Sequence, residues 1–349
     1  MPQVQQKATT KRLVAIGASL IILGLGAFTT TQKQQNEQTS SPESLTDMVL
    51  NRQDFNEKVL QGNDVTNRIA VIRVNGVIQD NGSSSLISGS EGYQHQQVLE
   101  QFKAAAKDST VKGILLAVDS PGGGVYESAE LRAQIQKVRE ETNKPIYTSF
   151  GSVSASGGYY ISAETDRIYA AEETTTGSIG VIMGNYDFSQ LMENIGVKQN
   201  VIKSGEMKDI MSSTRSMTKE EKEVIQTYLN NSFERFLEIV MNGRGMSKEE
   251  VLKVADGRVF DGRQAVENGL VDEIGYEADA INGLTEKIAA ESPVVFEYIA
   301  KDASLFSNYL PFGLNFKGNQ DLTSQAGQVW SFIETQQSPT AQYIYRGGH

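Results

Sequence analysis

The sequence predicts an α/β fold with a largely parallel sheet. Apolar and β-branched residues form short runs at 69–74, 111–118 and 145–150, each of a length typical of a buried strand. Segments of helical character, near 93–107 and 126–142, separate these runs. Strands that alternate with helices are typical of βαβ units, in which neighbouring strands run parallel. The length of 349 residues allows one large domain or two small ones.

Each predicted strand ends at a turn signal. Asn75-Gly76 follows the first run, and the segment 119–124 (DSPGGG) follows the second. The third run ends shortly before Ser156, which precedes two glycines. Because glycine and proline interrupt regular structure, these segments are predicted to be loops directly after buried strands.

Two capping boxes predict helices in the second half of the chain. Thr218 with Glu221 opens a long helix, and Ser247 with Glu250 opens a shorter one. Gly243 is predicted to end the long helix. The apolar positions that share one face of the long helix are Ile225, Leu229, Phe233, Phe236, Leu237 and Val240.

Composition excludes several classes of function. The net charge of −11 argues against a nucleic-acid partner, because such a protein needs a basic face to neutralise phosphates. The absence of cysteine excludes disulfides and thiolate metal sites. With only two histidines, His95 and His349, a catalytic zinc site is not expected. We expect neither a metal nor an organic cofactor.

The N-terminal region predicts a membrane anchor. Basic residues in segment 1–12 precede about 19 uncharged residues at 13–31, close to the length that a transmembrane helix needs. Basic residues before the span favour a cytoplasmic N-terminus, so the rest of the chain is expected on the extracytoplasmic side of the cell membrane as a single-pass protein. A cleaved signal peptide is the alternative. Residues 32–67 are predicted to form a polar stalk, with one short helix around 45–60.

Ser156 is the candidate nucleophile. The glycines Gly157 and Gly158 allow a sharp strand-to-helix turn, which would expose the hydroxyl at a helix N-terminus where backbone N–H groups favour negative charge. The alternative is that Ser156 only caps the helix. Since neither histidine lies near such a turn in the sequence, the candidate base is a neutral lysine, Lys208. Its apolar neighbours would favour the uncharged amine, although most lysines are solvated surface residues.

Two further polar turns could complete an active site. The three glycines at 122–124 could direct backbone N–H groups at one oxygen, as an oxyanion hole requires, or simply form a turn. The spacing does not fit a dinucleotide fingerprint or a P-loop. The segment 174–180 (TTTGSIG) supplies hydroxyls that could orient a lysine amine, or it is a polar turn.

The order of these motifs resembles the signal peptide peptidase A family, in the single-domain form of Gram-positive bacteria. The motifs are 119–124 (DSPGGG), 155–160 (ASGGYY), 176–181 (TGSIGV), 203–209 (KSGEMKD) and 259–265 (VFDGRQA) with 269–272 (GLVD). The resemblance covers residues 68–298, which we predict to be a peptidase domain, and leaves 299–349 as a C-terminal tail.

The resemblance implies a role for each candidate residue. Ser156 matches the nucleophile and Lys208 the general base of a Ser/Lys dyad, and Ser178 matches the serine that hydrogen bonds the lysine. The backbone N–H groups of Gly123 and Gly157 would form the oxyanion hole. It also implies the superhelix of βαβ units of the Clp protease/crotonase fold.

The function that follows is a membrane-anchored serine endopeptidase that degrades remnant signal peptides, which are apolar peptide substrates. Family members assemble into homo-oligomeric domes or rings, an octamer among the candidates, with active sites completed by neighbouring subunits. The alternatives are a crotonase-like acyl-CoA hydratase or hydrolase and a non-catalytic membrane-anchored scaffold. The C-terminal tail could reach a neighbouring active site, to be trimmed there or to inhibit it, or it could be inert.

Overall fold

The computed structural model describes residues 55–80, 92–299 and 340–347. The strands are β1 Asn56–Gln61, β2 Asp64–Asn75, β3 Val111–Ser120, β4 Gly122–Gly124, β5 Ile146–Ala155, β6 Arg167–Ala170, β7 Thr175–Gly177, β8 Val259–Phe260, β9 Glu273–Ile274, β10 Pro293–Ile299 and β11 Gln342–Ile344. The helices are α1 His95–Lys107, α2 Val125–Thr142, α3 Gly157–Ser162, α4 Ser189–Asn194, α5 Lys219–Arg244, α6 Lys248–Val254, α7 Gly262–Glu267 and α8 Glu277–Lys287.

The predicted α/β fold is confirmed. Nine of the strands form one sheet in the order β1-β10-β2-β3-β5-β6-β9, with β7 paired to β5 and β8 paired to β7. All pairs are parallel except β1 with β10 and β7 with β8. Helices between the parallel strands provide the crossovers that such strands need.

The sheet is buried on both faces, as parallel sheets usually are. In β2, Ile69 and Val71 pack towards α8. Alternate residues of the same strand, Ile72 and Val74, contribute to the larger core on the other face, which includes residues of α1, α2 and α5. Because successive side chains of a strand point to opposite faces, a strand with a hydrophobic core on each side has apolar residues at nearly every position. This explains why the apolar runs at 69–74 and 111–118 predicted strands.

Three predicted boundaries are corrected by the structure. β1 and the start of β2 lie within segment 32–67, so the part of the predicted stalk from residue 56 belongs to the sheet, and residues 56–60 of the predicted short helix are strand. The long helix ends at Gly245, which has φ 63°, and not at Gly243. Gly243 has a packing role instead, since a Cβ there would lie 2.0 Å from the carbonyl oxygen of Ala163.

The other predicted helix ends agree with the structure. Both capping boxes are present, at Thr218 with Glu221 and at Ser247 with Glu250.

Within the described residues, no helix combines the length and the apolar character that crossing a bilayer requires. The predicted span at 13–31 lies outside the described residues, as does most of the tail.

The carboxyl ends of β3 and β5 meet at one edge of the sheet. Ser120 at the end of β3 pairs with Ser154 near the end of β5. Ligands of open parallel sheets bind at this edge, where the loops after the strands converge. The glycine run 122–124 and Ser156 both follow directly from these two strands.

Candidate active site

Ser156 lies in a strained turn between β5 and α3. Its backbone has φ 54° and ψ −112°, which is unusual for any residue with a Cβ. Such a conformation costs about 1–3 kcal/mol and occurs most often at functional sites. The N–H of Ser156 donates to Gly177 at 2.8 Å, which fixes the turn against the neighbouring strand β7. The side chain is almost fully buried, with 1% exposure.

The glycine run forms strand β4 beside this turn. The Gly124 N–H donates to Ile78 and the Ile78 N–H donates to Gly122, both at 2.8 Å. The Gly122 N–H donates to the Ser120 hydroxyl at 3.1 Å. Gly122 has φ 96°, and a Cβ there would lie 2.5 Å from the backbone nitrogen of Gly157. Only glycine allows β4 and the start of α3 to approach this closely.

The C-terminal strand β11 pairs antiparallel with β4. The Tyr345 N–H donates to Pro121 at 2.7 Å, and the Val125 N–H donates to Ala341 at 3.3 Å. Tyr343 lies opposite Gly123, midway between these two hydrogen-bonded positions. Hydrogen-bonded pairs alternate along an antiparallel ladder, so the Gly123 N–H is directed at the Tyr343 carbonyl oxygen.

The start of α3 borders the same oxygen. A Cβ on Gly157 would lie 3.0 Å from the Tyr343 carbonyl oxygen, and one on Gly122 would lie 2.0 Å from it. Gly123 and Gly157, the two predicted oxyanion donors, therefore flank a single carbonyl group. On its other edge β11 pairs with Ile182, which exchanges hydrogen bonds of 3.0 and 2.9 Å with Gln342.

The Tyr343 side chain fills an aromatic pocket. Its ring is fully buried, stacks on Tyr160 at 4.7 Å between centroids and meets Phe236 edge-on at 5.0 Å. Its hydroxyl donates to the carbonyl oxygen of Ser232 at 2.9 Å. Burial raises the pKa of the Tyr343 hydroxyl above its ordinary value, so the group remains a neutral donor.

A cavity of about 630 Å³ adjoins Ser156 and the end of β11. Its volume lies in the range of ligand pockets. Ser178 also lines it, with φ 49° and an N–H that donates to Arg258 at 2.8 Å. The apolar side chains that line the cavity are Ile179, Val181, Ile182, Leu229, Phe233, Ala255 and Ile344.

Lys208 lies elsewhere, on the segment 183–217, which we term the lysine arm. It belongs to a 3₁₀ turn at Glu206–Asp209 and is exposed. It does not line the cavity, and its side-chain amine has no hydrogen bond or ion pair with another described residue. Lys208 is exposed, and its neighbour Met207 is also 42% exposed. The prediction that apolar neighbours such as Met207 remove water from the lysine is therefore wrong for a single chain. The structure thus brings Ser156, Ser178, Gly123 and Gly157 together without Lys208.

An ion-pair network holds the turn that carries Lys208. Asp209 accepts a hydrogen bond from Lys203 at 2.6 Å and two from Arg215 at 2.6 and 2.9 Å. Arg215 also donates to Glu221 at 2.8 Å, and Glu221 caps α5. Hydrogen bonds from Arg215 and then Lys203 hold the pKa of Asp209 well below its ordinary value. These ion pairs connect the turn that carries Lys208 to the start of α5, although most of the lysine arm is exposed.

Comparison with known proteins identifies the family. A putative signal peptide peptidase SppA of Enterococcus faecium is 39% identical over 342 residues, which cover 97% of this chain and 99% of that protein. The chain belongs to the signal peptide peptidase A family. The model of peptidase family S49 matches residues 138–291, a span that includes Ser156, Ser178 and Lys208.

Other similar proteins match a smaller share of the chain. A putative protease of Methanocaldococcus jannaschii is 38% identical over 211 residues, covering 60% of this chain and 67% of that protein. Protease 4 of Haemophilus influenzae is 36% identical over 223 residues, covering 64% of this chain and 35% of that protein. Membership in this family makes the chain a serine-type peptidase.

Sequence reasoning missed the contribution of β11 to the site of this SppA-family chain. Segment 299–349 was assigned to a tail outside the peptidase domain, yet Ala341 and Tyr343 are buried against it. The consecutive aromatic and β-branched residues Tyr343, Ile344 and Tyr345 were the available signal for a strand. His95 has a structural role. Its ring nitrogens contact the Tyr93 hydroxyl at 2.6 Å and Glu130 at 2.9 Å, and it does not line the cavity.

Proposed function

We propose that the protein is a membrane-anchored endopeptidase that uses a Ser156/Lys208 dyad to degrade remnant signal peptides. The observation that carries this proposal is the backbone of β11, which lies beside Ser156 with the Tyr343 carbonyl between Gly123 and Gly157. A substrate that took the place of β11 would be held as an extended strand between β4 and Ile182. Strand addition of this kind binds peptides through main-chain hydrogen bonds, and pockets select the side chains.

The proposed reaction proceeds by acyl transfer. The Ser156 hydroxyl oxygen attacks the carbonyl carbon of the scissile bond while neutral Lys208 accepts its proton. The N–H groups of Gly123 and Gly157 stabilise the negative charge on the carbonyl oxygen. Lys208 then returns the proton to the leaving amine as the carbon–nitrogen bond breaks. Water, deprotonated by the same lysine, hydrolyses the acyl ester and restores Ser156.

A neighbouring copy of the chain would supply the lysine. The lysine arm exposes several large apolar residues, which a second copy would bury: Ile195, Val197, Val201, Ile202 and Met207. Burial between subunits would also desolvate Lys208 and favour its neutral form. Ser178, which lines the cavity with Ser156, is suited to hydrogen bond the incoming amine. This arrangement predicts a homo-oligomer, a dome or ring, of the Clp protease/crotonase type.

The substrate class follows from the cavity and the predicted anchor. Apolar side chains form part of the lining of the cavity next to Ser156, and the pocket of Tyr343 is aromatic. Remnant signal peptides are apolar and are released at the membrane, where the predicted span 13–31 would hold the peptidase on the extracytoplasmic side. Part of the C-terminal tail occupies the proposed substrate position, so it would compete with substrates as an inhibitory segment.

Peptide cleavage by matched serine variants tests the proposed function. We expect the full-length protein in detergent to cleave an apolar, tyrosine-containing signal peptide and to react with a fluorophosphonate at Ser156. Ser156→Ala should lower the turnover rate by at least about 1,000-fold. Ser109→Ala, which changes an exposed serine in the turn before β3, should retain wild-type turnover. Peptide cleavage that survives in Ser156→Ala would refute the assigned nucleophile. Hydrolysis of acyl-CoA thioesters without peptide cleavage would favour the hydratase or hydrolase alternative.

A further inference from the structure

We infer that Ser128 is a further catalytic residue, whose side-chain hydroxyl donates a third hydrogen bond to the oxyanion. The inference rests on the proposed function and adds a residue to the same site. Ser128 lies in the first turns of α2, immediately after β4, and is fully buried. Among the described residues, its hydroxyl oxygen has no hydrogen-bond partner.

An unpartnered buried hydroxyl is unusual. Most buried polar side-chain atoms in proteins have a partner, because a lost hydrogen bond to water is otherwise uncompensated. Other buried serines near the site follow this rule. Ser154 donates to the carbonyl oxygen of Val118 at 2.6 Å, and Ser162 donates to that of Gly158 at 2.8 Å. Ser128 therefore carries a cost that these neighbouring serines do not.

The Ser128 hydroxyl and the Tyr343 carbonyl group, which Gly123 and Gly157 flank, both lie beside Gly157. A Cβ built on Gly157 would lie 2.7 Å from the Ser128 hydroxyl oxygen and 3.0 Å from the Tyr343 carbonyl oxygen. The same point is 3.0 Å from the Cα of Gly122. The hydroxyl and the carbonyl oxygen thus border one small space beside Gly157, although they are not hydrogen bonded to each other while the carbonyl is planar.

The chemistry of the reaction explains why the Ser128 hydroxyl has no hydrogen-bond partner before the reaction begins. When the carbonyl carbon becomes tetrahedral, its oxygen moves and gains negative charge. A donor that forms its hydrogen bond only at that stage lowers the barrier without stabilising the bound substrate. The Ser128 hydroxyl hydrogen can rotate freely towards such an oxygen, and burial would strengthen the bond by excluding water.

Ser128→Ala separates this role from simple packing. We expect its kcat for peptide cleavage to fall by about 100-fold, with KM within about two-fold of wild type because the ground state gains nothing from the hydroxyl. Its melting temperature should equal or exceed that of wild type, since the variant removes a buried group without a partner. Ser162→Ala is the matched control. It should keep wild-type kcat and melt at a lower temperature, because it loses a hydrogen bond.

A second measurement does not depend on turnover. A peptide aldehyde forms a tetrahedral adduct with Ser156, whose oxygen enters the same site, whereas the corresponding peptide acid binds without that bond. Ser128→Ala should weaken inhibition by the aldehyde by about 10- to 100-fold and leave inhibition by the acid unchanged. Ser128→Cys, which keeps the shape but donates weakly, should show an intermediate loss.

The outcomes distinguish this inference from the proposed function. If the wild type cleaves through Ser156 and Ser128→Ala retains its kcat and its aldehyde affinity, the third donor is refuted and the peptidase assignment stands. Equal weakening of the aldehyde and the acid would also refute it, because that result indicates a packing role. If the wild type does not cleave peptides, the proposed function fails before Ser128 is tested.

Discussion

The two halves of the proposed dyad lie in contrasting surroundings. Ser156 follows the end of a central strand of the parallel sheet, is almost fully buried, and has its backbone fixed by Gly177. Lys208 lies on the exposed lysine arm, in a 3₁₀ turn that contributes nothing to the hydrophobic core. The nucleophile half of the site is therefore complete within one chain, whereas the base has a defined local structure and no partner among the described residues.

This difference separates the features of the site that one chain forms by itself from those that need a covering surface. Backbone geometry at Ser156 depends on strand pairing and close glycine contacts, which are internal to the sheet. A neutral lysine needs the removal of water, which requires a surface that covers it. In the proposed assembly, an arm that exposes both apolar residues and the lysine would provide one side of such an interface. We therefore expect catalysis to depend on assembly more strongly than folding does.

The largest expected effect comes from mixing two inactive variants, which tests whether Ser156 and Lys208 of one active site belong to different subunits. Ser156→Ala and Lys208→Ala should each lose almost all peptide cleavage, because each removes one member of the dyad. If neighbouring subunits complete each active site, co-refolded mixtures should recover about a quarter of wild-type turnover in an equimolar random assembly, since about one serine–lysine pair in four is then intact. Turnover of the mixture that stays at the level of the separate variants would place both groups in one subunit.

Removal of β11 is expected to have a smaller effect, on access to the nucleophile. A chain that ends at residue 339 should react with a small fluorophosphonate about 10-fold faster than wild type, because β11 pairs with β4 beside the buried Ser156. A chain that ends at Arg346 is the matched control, since it retains the whole strand and should react at the wild-type rate. Identical labelling rates in all three proteins would contradict an inhibitory role of the tail. The pseudo-first-order labelling rates, followed by intact mass, provide the measurement.

The Asp209 network should have the smallest effect, limited to the lysine arm. Asp209→Asn removes the charge that Arg215 and Lys203 contact, so we expect turnover to fall by about three- to ten-fold, in line with the modest strength of exposed ion pairs. Amide hydrogen exchange should increase in the arm and remain unchanged in β3 and β5. Asp187→Asn provides a control on the same arm, because this carboxylate contacts serine hydroxyls and, among the described residues, no basic side chain.

The same network has a defined pH dependence. The pKa of Asp209 is lower in the folded chain than in the unfolded chain, so its pairing stabilises the arm above the ordinary aspartate pKa. This contribution declines as the pH falls through the ordinary value towards the folded value. Exchange in the wild-type arm should therefore remain slow at neutral and mildly acidic pH and increase only in strong acid. An increase that begins near pH 6 would show that another group controls the arm.

Local sequence patterns predicted most of the secondary structure and the turn at Ser156. Strands and capping boxes depend on side-chain periodicity and on hydrogen bonds within a few residues, as at Thr218 with Glu221, so they can be inferred from the sequence. The ends of some elements could not be inferred. The sequence predicted that Gly243 ends α5, but a close contact with Ala163 explains this glycine, and the positive φ occurs at Gly245 instead.

The sequence by itself determined an α/β chain with a serine in a glycine-flanked turn, and its ordered motifs indicated the peptidase family. Tertiary structure alone decided that the tail returns as β11, with the Tyr343 carbonyl between Gly123 and Gly157, and that Lys208 remains exposed on its arm. The reason is physical. Turns and caps are set by near neighbours in the chain, whereas strand pairing across more than two hundred residues and the burial of a charge depend on surfaces that meet only after folding.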